Sequence, residues 1–270
     1  IQYMPPCLQN QTATPEYILA EMDHAGIDMA VLQNPKAYGK LNTYIGRCVA
    51  QYPDRFVGLA EVDELNAGNP SEVDRLRDAV ERLGLKGIYF EATAFAQAGD
   101  PSGFNASSLD PFWDAVSDLR VPVFWSLTGS RMSAHDYMER IRSLSLWLDM
   151  HSDIVTVMVH GLFARPFRKE DKVRFPEDLM AFFRRPNVYA EILYPIQVGP
   201  LGWEYPFSQA RELIRQQVEE IGAQKLIWGS DMPNVLRNCT YRQSLTYVRD
   251  WCEFIDPADM SLILGGNIAR

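Results

Sequence analysis

Short apolar runs alternate with longer amphipathic segments along almost the whole chain. The runs Met29 to Leu32, Phe56 to Val62, Gly87 to Phe90, Val121 to Leu127, Ile154 to Val159, Val188 to Leu193 and Leu226 to Gly229 are short and apolar enough to be buried strands. Between them lie segments with helical periodicity and recognisable ends. Thr14-Pro15-Glu16 is a capping residue followed by proline, and that helix closes at Gly26. Helices are likewise predicted from Leu41 to Tyr52, Ser71 to Leu83, Asp110-Pro111 onward, Ser133 to Met150, Pro176 to Arg184, Gln209 to Ile221 and Tyr241 to Phe254, with another running from Ala258 to Arg270. Each strand is followed by a helix, which predicts an α/β fold with a parallel sheet covered by helices. Seven such units suggest a (β/α)8 TIM barrel whose first strand precedes Ile1, both ends of the chain reading as clipped. The alternative is an open doubly wound sheet, but the chain has no GxGxxG motif. No linker or change of composition divides it, so residues 1–270 read as a single barrel domain.

Composition narrows the partners. With 26 basic and 35 acidic residues the formal charge is −9, which argues against nucleic acid or an anionic membrane as the main partner. No apolar run reaches the ~20 residues of a membrane span. Cys7, Cys48, Cys239 and Cys252 form no CxxC pair and read as free thiols in a reducing cytoplasm. A small-molecule substrate, anionic or cyclic, remains, with a homo-oligomer open.

In a parallel α/β fold, chemistry gathers where strands end. The segment Leu226-Ile-Trp-Gly-Ser-Asp231-Met-Pro233 is a buried run that stops abruptly and delivers one carboxylate, Asp231. That group suits a general base or a metal ligand; the structural alternative is a helix N-cap. His160 ends Val155-Thr-Val-Met-Val-His-Gly161 in the same way, and imidazole suits metal binding, proton transfer or polarising a carbonyl. Trp125 and Ser126 end the fourth run. Ser126 is a candidate hydrogen-bonding partner of substrate and Trp125 a candidate wall for a ring, unless the indole packs between sheet and helix. Glu91 and the pair Glu191 and Tyr194 end two others; each carboxylate reads equally as a ligand or as an outward salt bridge, and Tyr194 as a second aromatic wall. Arg165 and Arg168, just beyond His160, are candidates for holding a carboxylate, or else lie in a solvated loop. Asn234, following Asp231, is a further substrate-binding candidate.

Taken in order, Met22-Asp-x-x-Gly26-Ile-Asp-x-Ala-Val31, Tyr52-Pro-Asp-Arg-Phe56, Leu85-Lys-Gly87-Ile, His160-Gly161, Pro186-Asn-Val188 and Trp228-Gly-Ser-Asp231-x-Pro233 resemble the amidohydrolase superfamily. The resemblance is to its amidohydrolase-related branch, which holds aminocarboxymuconate-semialdehyde decarboxylase, related aromatic-acid decarboxylases and lactonases. It implies a (β/α)8 barrel and a divalent metal, zinc or manganese. The metal would be held by a His-x-His pair on the first strand, histidines on the fifth and sixth, and an aspartate on the eighth. His160 matches the sixth-strand histidine and Asp231 the eighth-strand aspartate, with Glu91 a weaker ligand candidate. The chain has no His-x-His, and its fifth-strand position carries Trp125-Ser126, so the implied ligand set is incomplete, as in branch lactonases that do without a metal. The expected activity is hydrolysis of a small lactone or amide. The alternatives are non-oxidative decarboxylation of an aromatic or enoic acid, and a barrel that has lost catalysis along with its metal.

Overall fold

A computed structural model describes residues 13–127, 132–169, 172–193 and 204–270. The strands are β1 (Ala30–Leu32), β2 (Phe56–Gly58), β3 (Ala60–Glu61), β4 (Ile88–Glu91), β5 (Val123–Ser126), β6 (Thr156–Met158), β7 (Arg168–Lys169), β8 (Lys172–Val173), β9 (Val188–Ile192) and β10 (Leu226–Trp228). The helices are α1 (Pro15–Ala25), α2 (Asn42–Gln51), α3 (Pro70–Glu81), α4 (Thr93–Gln97), α5 (Asp110–Leu119), α6 (Ala134–Met150), α7 (Glu177–Phe183), α8 (Ser208–Ile221), α9 (Tyr241–Arg249) and α10 (Pro257–Ser261). The fold is mixed α/β with a parallel sheet, as the alternation predicts. Its elements gather into two compact units, residues 30–191 and residues 1–29 with 192–270.

In the unit of residues 30–191, β1 pairs with β2, and β3, β4, β5, β6 and β9 follow side by side, all parallel. The run Phe56 to Val62 is split at Leu59. There the chain changes partner, Leu59 N–H reaching Leu32 C=O and Ala60 N–H reaching Gly87 C=O. Register fixes which side chains share a face. Phe90 stands opposite Trp125, and Glu91 opposite Ser126. Phe90 and Trp125, with ring centroids 4.9 Å apart, pack against Trp113 of α5 and Trp147 of α6. All four rings are fully buried and form the layer between sheet and helices. Side chains alternate along a strand, so Glu91 and Ser126 face the other side. Trp125 aligns with Met158, and Met158 with Ala190, which puts Glu191 on that same side.

In the other unit, Thr14 Oγ1 caps α1 by accepting Tyr17 N–H, and Gly26 closes it in the left-handed conformation. A capping box of Thr240 and Gln243 opens α9. That helix stops at Arg249, short of the expected Phe254. The expected helix through Arg270 is instead α10 followed by a wider π-helical turn, Leu262–Gly266. The turn delivers buried Asn267, whose Nδ2 donates to the carbonyls of Ala223 and Leu226 at 2.8 Å each, tying down the start of β10. Asn267→Ala orphans two buried carbonyls. We expect a loss of about 2 kcal/mol or more, read as a fall in Tm of about 4–8 °C; an unchanged Tm would remove this tie from the account.

Candidate functional site

Glu91 and Ser126 end β4 and β5, and Glu191 is the penultimate residue of β9, all on one face of the sheet; His160 follows β6 between them in strand order. Ser126 and Glu191 are buried, and Glu91 is half-buried. Glu91 N–H donates to Glu64 Oε1 at 3.0 Å, while Glu64 Oε2 faces Lys36 Nζ at 3.4 Å. Burial pushes the Glu91 carboxyl above its usual range, and the Lys36 ammonium opposes that rise. Burial likewise raises the Glu64 carboxyl, against the pull of its hydrogen bonds and Lys36.

At His160 the β6 ladder has ended, its last rung being Val159 N–H on Trp125 C=O at 3.0 Å. The chain then takes two successive left-handed residues, His160 with φ +67° and Gly161 with φ +60°. The His160 N–H donates to Glu191 Oε2 at 3.2 Å. The other carboxylate oxygen, Oε1, accepts from Nε2 of Gln33, just past the end of β1, at 3.3 Å. Gly161 sits so close to this strand that an added Cβ would lie 2.0 Å from Glu191 C=O. Glu191 therefore holds the turn by its side chain at His160, and its main chain leaves no room for a side chain at Gly161.

Asp231 has the same backbone signature, with φ +54°. Gly229 N–H pairs with Ile192 C=O at 2.9 Å, which closes β10 just before it. The Asp231 Oδ2 accepts from Asn234 Nδ2 at 2.8 Å, and Asn234 Oδ1 accepts from Arg237 at 2.8 Å. Asp231 is not a helix N-cap: the short helical turn Asn234–Arg237 begins after Pro233, and the Asp231 side chain is held by Asn234. Only four described non-glycine residues have positive φ, and two are His160 and Asp231. Histidine and aspartate tolerate this region better than most residues, and such outliers cluster at functional sites.

The remaining candidates separate. Trp125 lies inside the aromatic layer, so the packing alternative describes it and the substrate-wall expectation is corrected. Adjacent strand residues point to opposite faces, and Ser126 takes the one away from the helices. Asn234 is engaged with Asp231. Arg165 is exposed on a helical turn, and Arg168 begins the β7–β8 hairpin, which the apolar pattern does not foreshadow. Tyr194 and Cys7 lie outside the described residues; Cys48, Cys239 and Cys252 are free thiols. Among the described residues, no group of three or more His, Cys, Asp or Glu side chains is placed to hold a metal ion, nor is any helix long and apolar enough to cross a membrane. The candidate donors His160, Asp231 and Glu91 thus do not by themselves form a zinc or manganese ligand set among the described residues. What the sequence reading missed is Gln33 and the grip of Glu191. The only signal was a polar residue directly after an apolar run, which has no specificity alone.

A sequence profile described as amidohydrolase matches residues 3–270. The chain belongs to the amidohydrolase family. Solved structures agree in fold. A probable 2-pyrone-4,6-dicarboxylic acid hydrolase from Acinetobacter baumannii, with citric acid bound, is 18% identical with a TM-score of 0.70, covering 100% of this chain and 91% of that one. A 5-carboxyvanillate decarboxylase from Sphingomonas paucimobilis is 15% identical with a TM-score of 0.67, covering 98% and 85%. An amidohydrolase from Burkholderia multivorans with bound zinc is 15% identical with a TM-score of 0.72, covering 96% and 88%. No curated protein matches by sequence. The amidohydrolase fold of this chain is thus the TIM barrel, as the strand count predicts.

Proposed function

We propose that this amidohydrolase, one domain across residues 1–270, hydrolyses a small cyclic or carboxylated substrate, a lactone or an amide. The observation that carries the reading is the left-handed backbone shared by His160 and Asp231, each two or three residues beyond the end of a strand and each held by a partner side chain. Asp231 takes a proton from water as its oxygen attacks the carbonyl carbon. His160 polarises the carbonyl and steadies the negative charge on its oxygen. When the carbon–oxygen or carbon–nitrogen bond breaks, Asp231 returns the proton to the leaving group. Ser126 is the proposed hydrogen-bonding partner of the substrate body, and Arg165 and Tyr194 are the proposed partners of its carboxylate and ring. The hydrolase from Acinetobacter supports this reading, and the bound citric acid there agrees with a small anionic substrate.

Decarboxylation of an aromatic acid is the second reading, favoured by the decarboxylase that shares the fold. There Asp231 and His160 would handle a proton on carbon. A panel of lactones, amides and carboxylated aromatic acids separates the two. Proton release with ring opening or amide cleavage supports hydrolysis, whereas carbon dioxide release from an aromatic acid contradicts it.

The described donors form no group of three or more that could hold a metal ion. We expect purified protein to retain less than one equivalent of zinc or manganese after dialysis against a chelator, with turnover little changed. Stoichiometric metal surviving that dialysis would show that other side chains supply the ligands.

A further inference from the structure

We propose that Glu191 is a positioning residue for His160, fixing the turn from which the imidazole projects. This rests on the reading that His160 polarises the substrate carbonyl. At 7% exposure the Glu191 carboxylate is nearly out of water, a placement that costs several kcal/mol unless donors meet it. Its Oε2 accepts from the main chain of His160. That N–H needs an acceptor, because the β6–β9 pairing ends at Met158 and Ala190. The turn it holds combines a left-handed histidine with a left-handed glycine, a pairing with no intrinsic preference to persist. Gln33 braces the second carboxylate oxygen from the end of β1. The Gln33 Oε1 is buried with no hydrogen-bond partner among the described residues. A flipped Gln33 amide would therefore accept from a glutamine at 191, whose own oxygen still takes the His160 N–H. What matters in this arrangement is an acceptor of the right length, so Glu191→Gln should preserve it. Glu191→Leu removes the acceptor, and Glu191→Asp draws it back by one methylene.

Two measurements test this on the whole chain. Amide hydrogen exchange at His160, which needs no substrate, should accelerate at least ~10-fold in Glu191→Leu and Glu191→Asp and stay near wild type in Glu191→Gln. Kinetics use the substrate turned over in the panel above. His160→Asn should lower kcat by about 10²–10³-fold. Glu191→Leu should lower kcat by about 10–10²-fold, with KM within about 3-fold of wild type. Glu191→Gln should restore kcat to within about 3-fold, and His160→Asn/Glu191→Leu should be no slower than His160→Asn alone, since both act at one group. If Glu191→Leu does not fold, Glu191→Asp carries the same comparison. Losses that multiply in the double variant, or a Glu191→Gln enzyme as slow as Glu191→Leu, would overturn the positioning role. Near-normal kcat in His160→Asn would overturn the reading of His160 itself, and the proposal with it; losses confined to the Glu191 variants' coupling would leave that reading standing.

Discussion

Asp231→Asn is expected to lower turnover by about two to four orders of magnitude, the usual worth of a general acid–base group, while leaving the protein as stable as before. The second half of that expectation comes from the structure. Asp231 sits at φ +54°, a region that asparagine enters as readily as aspartate. Its carboxylate accepts from Asn234 Nδ2 at 2.8 Å, and an asparagine side-chain oxygen accepts the same bond. Only the capacity to take a proton is removed. Equal Tm with collapsed kcat would locate the loss in chemistry. Near-normal kcat would remove Asp231 from the mechanism, and a large fall in Tm would make it a structural residue instead.

Gly161→Ala should be among the most damaging single-methyl changes in the described chain. Any L side chain at φ +60° costs about 1–2 kcal/mol, and here the Cβ would also lie 2.0 Å from Glu191 C=O, a main-chain atom of a central strand. Either β9 or the His160 turn must move by about an ångström, enough to cost a further ~10²-fold in rate if it displaces a catalytic group. We expect a total loss above about 4 kcal/mol, seen as poor recovery of folded protein or a fall in Tm of about 8 °C or more. Gly84→Ala is the control: its φ is +73° with nothing within 4 Å of the added methyl, so it should show the conformational cost alone. Equal effects of the two substitutions would mean that the close approach at Gly161 is tolerated.

The strand order and the strand-end residues were legible because short apolar runs with abrupt polar stops have few other readings in a βα pattern. His160 and Asp231 stood out for that reason. The orientation of Trp125 was not legible. A strand buried on both faces shows no alternation, and only its pairing with Phe90, beside Trp113 and Trp147, reveals which way the indole points. The Glu191 grip was hidden because it joins residues 158 positions apart, Gln33 and Glu191, with nothing periodic to mark them. The β7–β8 hairpin escaped for the opposite reason: Arg168, Lys169 and Lys172 are charged, and pairing of so short a ribbon leaves no hydrophobic trace. Past Ser261, helical periodicity persists while the backbone widens into a π turn to place Asn267, a change no apolar pattern encodes.

Reaction of the wild-type protein with a cleavable lactone in ¹⁸O-labelled water separates hydrolysis at Asp231 from decarboxylation. One ¹⁸O is expected in the newly formed carboxylate, with no carbon dioxide, and the labelling rate should fall by about two to four orders of magnitude in Asp231→Asn. Release of carbon dioxide from a carboxylated aromatic substrate, with a solvent proton on carbon and no ¹⁸O in the product, would contradict hydrolysis.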